Sequence, residues 1–114
     1  MAELGNRQHK RFKVPVASLI GRLDNDQTVD IIDLSVAGIA IKSKRRLIIG
    51  SEYFMRLHAR DHILAVHCTA VRSRIIDSGE DSFGQRGRVY VSAMRFQGGS
   101  EDRVTDFICD ALLA

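Results

Sequence analysis

Val29-Asp30-Ile31-Ile32-Asp33-Leu34-Ser35-Val36-Ala37-Gly38-Ile39-Ala40-Ile41 is the stretch that decides the fold. Two apolar, β-branched runs, Val29–Ile32 and Ile39–Ile41, flank Asp33–Gly38. Such runs read as strands, and the residues between them read as a tight connection. Asp33 and Ser35 are one residue apart, so an extended chain sends both side chains to one face. Gly38 stands where the chain turns back. Glycine there either takes φ > 0 or lets another group approach the backbone closely. The outcome is a small concavity with a carboxylate, a hydroxyl and bare backbone. That chemistry holds a ligand rather than breaking one.

The same punctuation continues in both directions. Upstream, a strand is expected from Lys13 through Leu23, with Pro15 at its start or on an edge because it cannot donate to a ladder. Asp24-Asn25-Asp26-Gln27 is a turn cluster, and Thr28–Ile32 is the second strand. Downstream come Ile39–Ser43, a loop anchored by Leu47, then Glu52–Leu57, Ile63–Ile76 and Arg88–Phe96. Arg60-Asp61-His62 reads as a hairpin connection, and Asp77–Gly87 as a long exposed loop. In Ile63–Ile76, Leu64, Val66, Cys68 and Ala70 mark the core face; Arg72 and Arg74 continue in the same phase but read as outward strand charges, or as reaching a ligand from the barrel face. After Gly98-Gly99, Ser100 is the expected N-cap and Glu101 and Asp102 suit the first turn. Val104, Phe107, Ile108, Ala111 and Leu112 then recur at helical spacing. The fold class is mainly β: a six-stranded antiparallel barrel with a C-terminal α-helix.

The 114 residues read as one domain, with residues 1–12 as a flexible arm, 13–97 as the barrel and 100–113 as the helix. Hydrophobic content of 45% with 27% charge describes a globular chain rather than a disordered one. The apolar runs are too short to span a bilayer, and Met1–Gly5 lacks the apolar core of a signal peptide. The expected address is the cytoplasm, with Cys68 and Cys109 as reduced thiols. His58 and His62 are four apart, but that spacing aligns ligands on a helix and not across a hairpin, so no metal site is expected. No activated nucleophile or carboxylate pair suggests an enzyme.

The net charge is +3, and its distribution says more than its size. Arg7, Lys10, Arg11 and Lys13 crowd the N-terminus, and Lys42, Lys44, Arg45 and Arg46 form a second group. Arg7 and Arg11 are four apart, so a turned segment puts both guanidinium groups on one side. Arginine stays charged, bonds phosphate or the O6/N7 edge of guanine bidentately, and stacks on aromatic rings. An ionised Asp33 only accepts hydrogen bonds, which matches the N1–H and N2–H₂ donors of guanine.

Arg7-x-x-x-Arg11 followed by Asp33-x-Ser35-x-x-Gly38 resembles the paired signature of PilZ domains, bacterial receptors for cyclic di-GMP. The likeness extends over nearly the whole chain, including Gly50, the last strand ending at Phe96, and the helix. It implies a split barrel that binds cyclic di-GMP without any cofactor. By that likeness Arg7 and Arg11 hold guanine and phosphate, Asp33 takes the guanine edge, Ser35 sits near the ligand, and Gly38 permits the loop. Asn6, Lys10, Arg72 and Arg74 are secondary candidates for ligand contact. It further implies that the arm orders on binding and signals to a downstream protein. The run Tyr90–Phe96 departs from the family in lacking its usual glycine before the phenylalanine, which bears on the floor of the site. Two other readings stand beside this one. One is a module of the same fold that binds protein and no nucleotide. The other is a small nucleic-acid-binding barrel, which the lack of an aromatic platform disfavours.

Overall fold

The computed structural model describes residues 11–13, 19–24, 27–76 and 87–113, with the backbone alone at 11–13. Seven strands appear in order: β1 Arg11–Lys13, β2 Ile20–Leu23, β3 Gln27–Ser35, β4 Gly38–Ser43, β5 Glu52–Ala59, β6 His62–Ile76 and β7 Val89–Phe96. Six of them close a ring. β3 pairs with β2 and β4, β4 with β7, β7 with β6, β6 with β5, and β5 returns to β2, every pair antiparallel. Closure leaves the barrel strands without an open edge. This is the expected six-stranded barrel, and β1 is an addition to it.

The expected first strand over 13–23 is replaced by two short segments. β1 pairs with β3 from Arg11↔Ser35 to Lys13↔Asp33, and β2 pairs with β3 through Gly21↔Val29. From Lys13 to Gly21 the chain advances eight residues while β3 retreats four, from Asp33 to Val29, so the two are not one continuous ladder. Arg11 and Phe12, expected in the arm, therefore stand in a strand. The expectations for Pro15 and for the loop over 77–86 lie outside the described residues.

Side chains pointing inward from all six barrel strands meet in one core. Leu34, Ile41, Met55 and Leu57 are wholly removed from solvent. Two β-bulges interrupt the alternation. In β3 the register against β4 shifts between Ile31 and Asp33, and in β6 the register against β7 shifts between Ala70 and Arg72. Each bulge inserts one residue and turns the rest of its strand to the other face. Beyond the second bulge, Ser73 points inward and its hydroxyl meets that of the fully buried Ser92 at 2.9 Å. Arg72 and Arg74, in phase with the core face by count but expected from their charge to point outward, are turned outward and exposed.

The tight hairpin at Arg60-Asp61 is as expected, with Arg60 at φ 57°. The C-terminal helix α1 spans Glu101–Phe107 and widens into a π-helical turn over Ile108–Leu113. Val104, Phe107, Ile108 and Ala111 are buried against the barrel, and Leu112 is half-buried against the same core. Truncating a side chain such as Phe107 there costs about 3–5 kcal/mol. Ser100 does not cap with its side chain. It is already helical at φ −90°, ψ −6°, and the free N–H of Gly99 is taken instead by the Glu101 carboxylate at 3.1 Å. Among the described residues no helix is long and apolar enough to cross a membrane.

Candidate functional site

The site forms where β3 turns into β4. Strand β3 runs through Asp33 and Leu34 to Ser35, so the expected six-residue connection shrinks to Val36-Ala37. The bulge beside Ile32 sets the direction of the next side chains. Leu34 fills the core, and Asp33 is turned outward, half-buried.

Ser35 builds the turn. Its Oγ accepts the N–H of Ala37 at 3.2 Å and of Gly38 at 3.1 Å, and lies 3.3 Å from the Gly38 carbonyl, to which it donates. A hydroxyl bridging its own turn in this way fixes a short loop. At 6% exposure Ser35 is buried beneath the loop that it holds.

Gly38 explains itself by crowding rather than by an unusual φ. It lies outside the left-handed region, unlike Gly50 and Gly99. A Cβ built on it would fall on the Met94 carbonyl oxygen, with Arg95 Cα at 3.4 Å. Beside it, the Phe96 N–H donates to the Ala37 carbonyl at 2.8 Å. The glycine thus lets β4 lie tightly on β7, which fastens the turn to the barrel wall.

Register carries these positions across the outer surface, because side chains directly opposite each other share a face. One row runs Asp33, Ala40, Ala93, Arg72 over β3, β4, β7 and β6, with Lys13 of β1 in register with Asp33. The next runs Gly38, Arg95, Thr69, and Arg11 is in register with Ser35 at its near end. A third runs Asp30, Lys42, Val91, Arg74. Between Asp33 and Arg72, three strand spacings or about 14 Å apart, the floor consists of two alanine methyls. A flat ring system can lie on such a floor with an acceptor at one end and a guanidinium at the other. Among the described side chains, the outward charges of the face are Arg72, Arg74, Arg95 and Lys42 against Asp30 and Asp33, so it leans cationic.

Of the residues singled out from sequence, the fold brings Asp33, Ser35 and Gly38 together and puts Arg72 and Arg74 on the same outer surface. The backbone of Arg11 is opposite Ser35, and its side chain, with Asn6, Arg7 and Lys10, lies outside the described residues. Ala93, within the run Tyr90–Phe96, stands opposite Ala40 on this surface. Sequence reasoning missed Arg95, exposed on β7 next to Gly38. The signal was present: Met94 and Phe96 are core residues, so Arg95 between them had to face out. Among the described residues no three His, Cys, Asp or Glu side chains gather into a metal-holding group. Burial, helped by the charge of Asp24, pushes the Cys68 thiol up to about 12, so it stays protonated and is no nucleophile.

Comparison with known proteins identifies the family and the fold. The family model for the PilZ domain matches residues 5–108. The structure is similar to the PilZ domain with c-di-GMP of YcgR from Escherichia coli, with a TM-score of 0.65 at 13% identity, covering 92% of this chain and 90% of that one. It is also similar to the K. pneumonia MrkH–c-di-GMP complex, with a TM-score of 0.68 at 16% identity, covering 94% of this chain and 52% of that one. An uncharacterised Legionella protein aligns with a TM-score of 0.60 at 17% identity over 91% of this chain and 94% of its own. No curated protein matches.

Proposed function

The chain belongs to the PilZ domain family, and from that premise we propose that it is a cyclic di-GMP receptor. The observation that carries the proposal is the row joining Lys13, Asp33, Ala40, Ala93 and Arg72, with Arg11 and Ser35 paired one row away. Asp33 accepts from the donor edge of a guanine. The methyls of Ala40 and Ala93 lie under the ring. Arg7 and Arg11 grip guanine and phosphate, and Asn6 and Lys10 flank them. Arg72 and Arg74 meet whatever part of the dinucleotide crosses β7. The serine serves mainly through the turn that it stabilises, holding Asp33 and Gly38 in position.

The ligand enters without covalent chemistry, and no catalysis ensues. Binding recruits the arm that carries Arg7 against β1 and β3, and ordering it offsets part of the contact energy. The reshaped surface then docks a downstream protein. MrkH, a transcription regulatory factor dependent on c-di-GMP, illustrates one output for such a domain. Cys68 and Cys109 are free thiols, which suits work in the cytoplasm.

Four purified proteins test the reading by thermal shift with added cyclic di-GMP: wild type, Arg11→Ala, Asp33→Ala and Arg72→Ala. Wild type is stabilised increasingly as ligand is added, with the logarithm of its concentration above Kd. Arg11→Ala and Asp33→Ala lose the shift while folding normally, and Arg72→Ala keeps a reduced one. An equal shift in all four contradicts the assigned site. No shift in wild type leaves the alternative of a protein-binding module.

A further inference from the structure

The loop between β4 and β5 holds a feature that nucleotide binding does not use. Ile48 and Ile49 are 68% and 57% exposed at its tip. Turn chemistry asks for Gly, Asn, Asp or Ser in such a place, not for two β-branched apolar residues. Anchoring does not require them either, since Leu47, just before, is buried in the core.

The tip is held rigidly in this exposed state. The Ile48 N–H donates to the Tyr53 hydroxyl at 2.9 Å, and the Ser51 N–H to the Ile48 carbonyl at 3.0 Å. Gly50, at φ +90°, donates to the Ala70 carbonyl at 2.8 Å, and the Ala70 N–H returns to Ser51 at 3.0 Å. These bonds hook the loop onto β6 beside Val71, a bulge residue that is itself 40% exposed. The same bonds hold the loop backbone in the conformation that presents both isoleucines to solvent.

The loop itself carries only positive charge. Residues 42–51 contain Lys42, Lys44, Arg45 and Arg46 and no acid. Lys44, Arg45 and Arg46 are exposed, and the Ser43 hydroxyl pins their turn through the Arg45 carbonyl at 2.7 Å. A depression of about 160 Å³ lies beside the tip, with Arg45 and Arg46 among its walls. Asp24 also lines it, accepting the Phe54 N–H at 2.6 Å, and is outnumbered there by the two arginines. Glu52 comes next, at the start of β5.

We propose that Ile48 and Ile49 are a shallow wedge that enters the surface of an anionic bilayer, with Lys44, Arg45 and Arg46 on the lipid phosphates. Size selects this occupant over a protein. Two isoleucines and a valine fall far short of the roughly 800 Å² that each partner buries in an ordinary protein interface. A few apolar side chains flanked by cations suffice for reversible attachment to an anionic membrane. The proposal is independent of the nucleotide reading.

Vesicle co-sedimentation of the whole chain tests it, using phosphatidylcholine alone and phosphatidylcholine with a quarter phosphatidylglycerol. Wild type binds only the anionic vesicles, and added salt weakens the binding. Ile48→Asn/Ile49→Asn lowers the affinity about tenfold, and Arg45→Gln/Arg46→Gln lowers it by a similar factor or more. Circular dichroism and melting confirm that both variants stay folded. No binding to anionic vesicles overturns the proposal. So does binding that the Asn variant leaves unchanged, which reduces the effect to diffuse charge. Concentration-dependent self-association that the Asn variant abolishes, with vesicles ignored, assigns the tip to contact between copies and overturns it as well.

Discussion

Replacing Gly38 by alanine tests how the turn is fastened to the barrel. The new methyl would overlap the Met94 carbonyl oxygen, with Arg95 Cα 3.4 Å away, and both are backbone that cannot rotate aside. Strand β4 must therefore lift from β7 at this end. Overpacking of this kind costs about 1–3 kcal/mol. Lifting also stretches the bond from Phe96 N–H to the Ala37 carbonyl, now 2.8 Å, whose loss is worth about 1 kcal/mol. Alanine restricts the unfolded chain and returns about 0.4–1 kcal/mol, because φ here is not in the left-handed region. The net expectation is destabilisation by about 1–3.5 kcal/mol, or a fall in Tm of roughly 4–14 °C for a domain of this size. Gly98→Ala is the control, since nothing lies within 4 Å of a Cβ there, and it should change stability by less than about 0.5 kcal/mol. Urea and thermal melts followed by circular dichroism read both. A Gly38→Ala protein that melts with wild type would refute the claim that close approach is why glycine stands there.

Ser92→Ala removes the buried member of the part-buried Ser73–Ser92 pair and should cost about 1 kcal/mol, while Ser73→Ala/Ser92→Ala should recover part of that loss, because the half-buried Ser73 hydroxyl is then no longer left without its partner. A double-mutant cycle in urea measures the coupling, and additive losses would contradict it. Cys109 is exposed and Cys68 buried, so a thiol reagent should modify one cysteine in native protein and both after unfolding. The Cys68 pKa is raised by burial first and by Asp24 second. The native state therefore holds the proton longer than the unfolded chain does. The associated stability is intact below about pH 9 and is lost as pH climbs toward about 12. Substituting alanine at Cys68 should remove that alkaline slope, at the cost of a cavity, and a slope that persists unchanged would assign it to other groups.

Much of the fold was legible because barrel strands announce themselves by alternation. Leu64, Val66, Cys68 and Ala70 gave the core face of β6, and the stripe from Val104 to Ala111 gave the helix. The bulges were not legible. Ile32 and Val71 are β-branched residues at ease in any strand, and a bulge exists only relative to the partner strand's register. Without the second one, the phase of Arg72 and Arg74 conflicts with their charge, and the bulge at Val71 is what lets both face outward as their charge requires. Of the site, Asp33, Ser35 and Gly38 could be picked out from spacing alone. Their division of labour could not, since the serine's bonding and the glycine's contact with Met94 depend on the folded turn and on chain distant in sequence. Nor could the end of the arm, because Arg11–Lys13 is a strand only by virtue of pairing with Asp33–Ser35.

Isothermal titration of wild-type protein with cyclic di-GMP addresses the central claim most directly. The account predicts saturable heat at micromolar ligand with a whole-number ratio, and its disappearance in Asp33→Ala protein that melts normally. A flat titration of well-folded wild type, or an unaltered isotherm in the Asp33 variant, would contradict it.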